Sequence, residues 1–419
     1  MDDREYVDQI IDQVAEKLQG LDHVLRLTLV ALFTGGHVLL EGNPGTGKTS
    51  LVKELCKALG FDPYQKPPRW GRIQFTPDLL PADITGSEMP EHTAGGEFRL
   101  RRGPIFRWLV LADEINRATP KTQSAMLEAM AEQSVTVGTK TYDLREPVRT
   151  YEPGHGGFVR PPFMVLATQN PIDQEGTYDL PEAQADRFFV KIRMPTLHRA
   201  SLEEALKKEV RELKKEAVDG SSEAREKDKN EASRREIAAL HRCQQIAMRI
   251  ADAKVSEVQQ KHILNMLVAS NAVGPGSPDR LAGAAPQDSE LVGLSREDIR
   301  ALRSFVRQYA RFGLSLRAGT ALLLGVKAWR TLFVDEKDER ATYGIEHIVL
   351  PALRHRLLLS FEAEHEFRTQ LGKDDLTPAD LNDSFVATFV LKTAPNEGSY
   401  PDVLRQYFTS LGVALPDRF

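Results

Sequence analysis

Residues 42–49 read Gly42-Asn43-Pro44-Gly45-Thr46-Gly47-Lys48-Thr49, and they follow directly on an apolar run, His37-Val38-Leu39-Leu40-Glu41. The spacing is GxxxxGK[ST], the pattern of a loop that cradles phosphate. Closely spaced glycines let successive backbone N–H groups turn inward around phosphate oxygens, and a helix starting here directs its positive end to the same point. Lys48 adds a point charge for the outer phosphates and Thr49 a hydroxyl for magnesium, with Ser50 beside it as a further candidate contact. A Gly-rich turn can match such a pattern by accident. Here a strand-like stretch precedes it (38–40) and a helical one follows it (Leu51-Val52-Lys53-Glu54-Leu55), which is the context a nucleotide-binding loop requires.

Working outward, apolar residues Ile10, Ile11, Val14, Leu18, Leu21, Val24, Leu25 and Leu29 recur at helical spacing, so helices precede the first strand. Strand-like runs at 38–40, 73–75, 108–112 and 163–167 then alternate with helical patterns, as in a parallel sheet covered by helices. The run Leu109-Val110-Leu111-Ala112-Asp113-Glu114 ends a buried strand in two adjacent carboxylates at the sheet's C-terminal edge. Asp113 is placed to hold a magnesium shell and Glu114 to reach a water for in-line attack. The run Val165-Leu166-Ala167-Thr168-Gln169-Asn170-Pro171 sets a neutral amide, Asn170, at another strand end. Asn170 could orient the attacking water, although an ordinary Asn-Pro turn reads the same way. Arg187, in Leu180-Pro181-Glu182-Ala183-Gln184-Ala185-Asp186-Arg187-Phe188, suits a local salt bridge when read alone.

Beyond Pro195 the character changes. A dense mixed-charge insert spans 207–235 and a Gly/Pro/Ala linker spans 274–293; helical patterns fill the rest, including 317–329 and 348–361. The chain is therefore read as an α/β nucleotide-binding domain with inserted hairpins (1–196), an all-helical lid domain (197–369) and a C-terminal extension (370–419) opened by the helix-start signal Thr377-Pro378-Ala379-Asp380. Stretches 86–103 and 135–160 read as hairpins inserted into the core. Glu362 and His365 share a helical face but make a poor metal site, and Met126 and Met130 are read as core.

The 419 residues suffice for two or three domains, and 27% of them are charged at a formal net charge of only -5, which argues against a broad nucleic-acid surface. Two distant cysteines, Cys56 and Cys243, suggest neither disulfide nor zinc and fit a reducing, cytoplasmic compartment. The N-terminus lacks the apolar core of a secretory signal, and no run reaches membrane-spanning length; no membrane insertion is expected.

In this order the motifs resemble the AAA+ ATPases, and more narrowly the MoxR family. The resemblance rests on residues 41–49, on Phe75-Thr76-Pro77-Asp78-Leu79-Leu80-Pro81-Ala82-Asp83-Ile84-Thr85-Gly86, on Gly103-Pro104-Ile105-Phe106, on Ala112-Asp113-Glu114-Ile115-Asn116-Arg117-Ala118 with Lys121-Thr122-Gln123-Ser124, and on Ala167-Thr168-Gln169-Asn170-Pro171 with Glu175-Gly176-Thr177-Tyr178. It implies an AAA+ core with a helical lid, and a homo-oligomeric ring, commonly hexameric, that hydrolyses ATP with Mg2+. By the same resemblance Lys48 and Thr49 bind phosphate and magnesium, Asp113 and Glu114 form the Walker B pair, Asn170 is the first sensor, and Arg187 is the finger entering the adjacent subunit's site. Gly313-Leu314-Ser315-Leu316-Arg317-Ala318 resembles the second-sensor motif, with Leu316 where the family has proline, so Arg317 is the candidate contact to the outer phosphate. The family implies remodelling of a protein client with a separate von Willebrand factor A domain partner. A nucleic-acid translocase and a metal-chelatase motor are the alternatives; a guanine-nucleotide switch lacks the NKxD pattern.

Overall fold

The computed structural model describes residues 2–42, 47–61, 68–90, 98–152, 155–170, 177–195, 229–271, 291–311, 313–334, 343–373 and 375–416. Contacts divide the chain into two compact units, Met1–Phe188 with Ile192–Arg249, and Phe189–Lys191 with Ile250–Phe419.

The first unit opens with helices α1 (Asp3–Ala15) and α2 (Asp22–Phe33). Val7, Ile10, Ile11 and Val14 put one stripe of α1 into the core, and α2 is buried almost all round from Val24 to Phe33. Then come β1 (Val38–Glu41), α3 (Lys48–Ala58), β2 (Trp70–Gln74), α4 (Pro81–Thr85), β3 (Gly86–Pro90), β4 (Phe98–Arg102), β5 (Leu109–Asp113), α5 (Pro120–Glu132), β6 (Ser134–Val137), β7 (Lys140–Asp143), β8 (Val148–Glu152), β9 (His155–Val159), β10 (Met164–Gln169), α6 (Glu182–Ala185), β11 (Val190–Arg193) and α7 (Lys229–Asp252).

The main sheet runs β11-β1-β10-β5-β2, and β1/β10, β10/β5 and β5/β2 are parallel. Apolar runs on both sides of the pleat explain why β1, β5 and β10 take its centre: Val38 to Leu40, Leu109 to Ala112 and Met164 to Ala167 are all buried. One face packs Leu39, Val110, Ala112 and Val165 against Met126, Leu127 and Met130 of α5. Met126 and Met130 are thus core, as their spacing indicated. The stretch 86–103 forms one hairpin, β3–β4, whose tip lies outside the described residues. The stretch 135–160, read as one hairpin, is two, β6–β7 and β8–β9. Gly138, at a φ of 60°, makes the turn of the first, and the tip of the second lies outside the described residues. Buried Asp3 accepts ion pairs from Arg242 at 2.8 Å and Arg249 at 2.6 Å, fastening α1 to α7.

The second unit holds α8 (Glu257–Asn271), α9 (Arg296–Tyr309), α10 (Leu316–Phe333), α11 (Ile345–Leu353), α12 (Glu364–Leu371), α13 (Pro378–Thr393) and α14 (Tyr400–Ser410). Helix α13 starts at the anticipated Thr377 cap with a reciprocal Asp380 contact, and its buried run from Phe385 to Val390 is packed by α8, α9, α11, α12 and α14. His262 ties three of these helices together, meeting the Tyr400 hydroxyl at 2.8 Å and the Val390 carbonyl at 2.9 Å. The helix expected over 348–361 ends at Leu353. Residues 354–356 form a turn, the Leu357 N–H donating to the Leu353 carbonyl at 2.8 Å, and after it Leu359 bridges Ala310 while its N–H reaches the Asn382 side chain at 3.0 Å. Glu362 and His365 accordingly do not share one helix: Glu362 lies in the 3-10 turn Phe361–Ala363, before α12. The weakly patterned chain end contains α14. Most of the 207–235 insert and of the 274–293 linker lies outside the described residues. Among those described, no helix is long and apolar enough to cross a membrane.

Candidate nucleotide site

Three neighbouring parallel strands, β1, β10 and β5, deliver their C-terminal ends side by side. In register, Leu40 faces Thr168, and Ala167 faces Ala112, so Gly42, Asn170 and Asp113 follow one another along a single sheet edge. This is the edge where parallel α/β sheets bind ligands, because the helices leave from it N-terminus first.

Helix α3 leaves from β1 through Gly47, whose φ of 78° is a left-handed conformation that suits glycine. Gly42 is needed for closeness: a Cβ there would stand 2.6 Å from the Met194 Cβ. Asn43, Pro44, Gly45 and Thr46 lie outside the described residues. Lys48, Thr49 and Ser50 form the first turn of α3, with Lys48 and Thr49 half-buried and Ser50 exposed. Lys48 Nζ donates to the Gly42 carbonyl at 2.7 Å. Burial lowers the Lys48 pKa, and the nearby charges of Asp113 and Glu114 oppose that shift. The Lys48 ammonium thus sits at Gly42 and within the field of both carboxylates.

Asp113 is the last residue of β5 and Glu114 turns away from it in a left-handed conformation, φ 57° and ψ 50°. Such a backbone is uncommon outside glycine and costs about 1–3 kcal/mol, so it persists only where surrounding bonds hold it. Thr168 is one of them: its buried hydroxyl accepts the Glu114 N–H at 2.8 Å and donates to Asp113 Oδ1 at 2.8 Å. Asp113 Oδ2 accepts from Arg72 at 2.6 Å, and Glu114 Oε2 accepts from Arg117 at 2.9 Å and Gln74 Nε2 at 3.2 Å.

Asn170 follows β10 directly, between the ends of β1 and β5. Arg187 is half-buried just past α6 and donates to the Leu127 carbonyl of α5 at 2.5 Å; its Nε is buried with no hydrogen-bond partner among the described residues. Arg317 belongs to the second unit, where it is exposed in the first turn of α10 behind the Ser315 cap.

The sequence reading assigned nothing to Arg72, Gln74, Thr168 or Arg117. A signal existed for the first two. On β2, Arg72 and Gln74 alternate with Gly71 and Ile73, so two long polar side chains share one face beside the strand that carries Asp113. Two further motif residues prove structural. Buried Gln123 donates toward the carbonyls of Ile115, Ala118 and Tyr178, each at 3.2 Å, and Thr122 donates to Leu79 at 2.7 Å.

The residues present fit a magnesium nucleotide. A partly desolvated ammonium and unpaired N–H groups of a helix start favour an anion. Among the described residues no group of three or more His, Cys, Asp or Glu side chains gathers. Asp113 at the end of β5 and the Thr49 hydroxyl in the first turn of α3 would supply the one or two protein oxygens that Mg2+ takes, with water and phosphate filling the rest of its shell.

Residues 37–190 match the family described as ATPases associated with various cellular activities (AAA), and residues 5–66 match the MoxR domain of MoxR-vWA-beta-propeller ternary systems. The chain is 48% identical over 184 residues to the uncharacterized protein YeaC of Bacillus subtilis, covering 44% of this chain and 50% of that one. It is 41% identical over 188 residues to Chaperone MoxR1 of Mycobacterium tuberculosis, 45% of this chain and 44% of that one, so the match spans about half the length of these curated relatives. A crystal structure from Cytophaga hutchinsonii, of a protein classed by inference as an ATPase, superposes with a TM-score of 0.63 at 29% identity over 92% of this chain and 94% of that one.

Proposed function

We propose, for a chain that belongs to the MoxR family of AAA+ ATPases, that it binds ATP with Mg2+ and hydrolyses it to ADP and phosphate, using turnover to remodel or activate a protein client. The observation that carries this reading is the convergence of Lys48 with Asp113 and Glu114 at the end of β1 and β5. In it, Lys48 and the N–H groups of the loop at 42–49 bind the phosphates, while Thr49 and Asp113 hold the metal ion. Magnesium, when bound, supplies charge neutralisation between the phosphate oxygens. Glu114 accepts a proton from the attacking water, and Asn170 orients that water. A fixed backbone at Glu114 suits such a base, since its carboxylate then needs little reorganisation.

The reading extends to assembly. Arg187 acts across a subunit boundary in a homo-oligomeric ring, hexameric by family resemblance, where its permanent charge stabilises the transferring phosphoryl group. Arg317 contacts the outer phosphate from the helical unit. A von Willebrand factor A domain protein is the partner suggested by the description of the matching MoxR domain. Cys56 and Cys243, both buried and both thiols, fit a reducing cytoplasm. The domain scheme proposed from the sequence is 1–196, 197–369 and 370–419, whereas the contacts group 192–249 with the first unit and hold 250–419 together in the second.

The test is phosphate release from ATP with Mg2+, compared between the wild-type chain and Lys48→Ala. Turnover that requires Lys48 supports the reading; equal turnover in both contradicts it.

A further inference from the structure

Asp113 carries a different partner on each oxygen. Oδ1 accepts from the Thr168 hydroxyl at 2.8 Å, inside the sheet. Oδ2 accepts twice from Arg72, from a terminal guanidinium nitrogen at 2.6 Å and from Nε at 3.2 Å. The oxygen that the sheet leaves over is thus held by a cation of the chain itself. Strand register explains why: Gln74 pairs with Asp113 across β2 and β5, and Arg72, two residues earlier on the same face, is long enough to reach forward to that carboxylate.

The same terminal nitrogen of Arg72 also donates to Gln74 Oε1 at 2.6 Å. An arginine can only donate, so the oxygen end of the Gln74 amide must face it, and the nitrogen end is thereby turned to Glu114. One guanidinium therefore holds Asp113 directly and sets the partner of Glu114 indirectly.

We propose that Arg72 is a positioning residue that competes with the nucleotide-bound metal ion for Asp113 Oδ2, so that metal arrival and the release of Gln74 from its fixed orientation are one event. The inference rests on the nucleotide-site reading above. Oδ2 already accepts two N–H bonds from Arg72, so a metal ion on that oxygen has to displace at least one of them, and the repulsion between the two cations favours the exchange. The bond is exchangeable because it is weakly held: the Arg72 side chain is 47% exposed, and pairs of this kind are loosened by solvent. Once Arg72 leaves, the donor that orients Gln74 is gone, and Glu114 keeps Arg117 but loses a set amide partner.

Mn2+ is the probe, titrated into the full chain with a non-hydrolysable ATP analogue, with free Mn2+ read by electron paramagnetic resonance. Arg72→Ala and Arg72→Gln should each lower the half-saturating Mn2+ concentration about two- to fivefold, the range expected for removing an exposed pair. Analogue affinity in EDTA should stay at the wild-type value. Arg117→Ala, which removes a guanidinium from Glu114 and not from Asp113, should leave the Mn2+ midpoint unchanged. Midpoints in both Arg72 variants at or above wild type overturn the proposal. An equal drop in Arg117→Ala overturns it too, by reducing the effect to general charge. Should Lys48→Ala bind the analogue as well as wild type does, the nucleotide-site reading itself fails, and this inference with it; loss of binding in Lys48→Ala without a shift in the Arg72 variants refutes only the inference.

Discussion

The Thr168 hydroxyl donates to Asp113 Oδ1 at 2.8 Å and accepts the N–H of the next residue, Glu114, at the same distance. One small side chain on β10 thus fixes the carboxylate that ends β5 and the left-handed turn that follows it. Removing the hydroxyl leaves a buried N–H and a carboxylate oxygen short of a partner. Thr168→Ala should lose about 1–3 kcal/mol in denaturant unfolding and should lower turnover, whereas Thr168→Ser restores both. Equal stability of the alanine variant and wild type counts against this role.

His37 gives a pH dependence with a definite sign. It is buried immediately before β1, with Nδ1 accepting the Val165 N–H at 3.1 Å, which leaves Nε2–H to donate to the Met130 carbonyl at 3.1 Å. Burial lowers its pKa from 6.5 to about 4, and burial does the same to His262 in the second unit, also to about 4. Folded-state pKa values below the unfolded one mean that the stabilisation is complete above about 6.5 and is lost as pH falls toward 4. Protonation would also set a donor at Nδ1 against the Val165 N–H. Stability measured from pH 7 to pH 4 should decline across this window, and His37→Gln should decline less steeply than wild type.

Arg187 offers a test of assembly. Its guanidinium is anchored to Leu127 of its own chain at 2.5 Å. If it serves a neighbour's site, Arg187→Ala should bind ATP with wild-type affinity and hydrolyse it at least about tenfold more slowly, since arginine fingers contribute far more than that. Mixing it with Lys48→Ala should restore part of the turnover, because some mixed interfaces pair an intact phosphate loop with an intact arginine. No restoration at any mixing ratio weighs against the intersubunit role.

Much of this was legible from the chain alone, for physical reasons. Buried parallel strands read as continuous apolar runs, which is why β1, β5 and β10 stood out, and the loop at 42–49 has a spacing that phosphate geometry dictates. Family resemblance also drew attention to the strand ends that meet at one sheet edge, yet it assigned chemistry more readily than packing. Gln123 and Thr122 belong to a motif and are brackets for the turns at Ile115, Tyr178 and Leu79. The end of the helix at Leu353 was missed because residues 354–359 keep a helix-compatible pattern; the chain turns at 354–356, and a tertiary bridge from Leu359 to Ala310 then overrides that pattern. The alternation along β2 marks Arg72 and Gln74 as one polar face, but the register that sets this face against Asp113 depends on pairing with β5, which a local pattern does not give.

In the proposed reaction Glu114 performs hydrolysis at a site where Lys48 and Asp113 would hold the magnesium nucleotide. Glu114→Gln keeps the shape of the side chain and removes its basicity. The most direct measurement follows ATP binding and phosphate release in this one variant. Binding at wild-type affinity with phosphate release reduced by about a hundredfold or more is the predicted result, the scale expected for loss of a positioned base. Release at the wild-type rate would contradict the account.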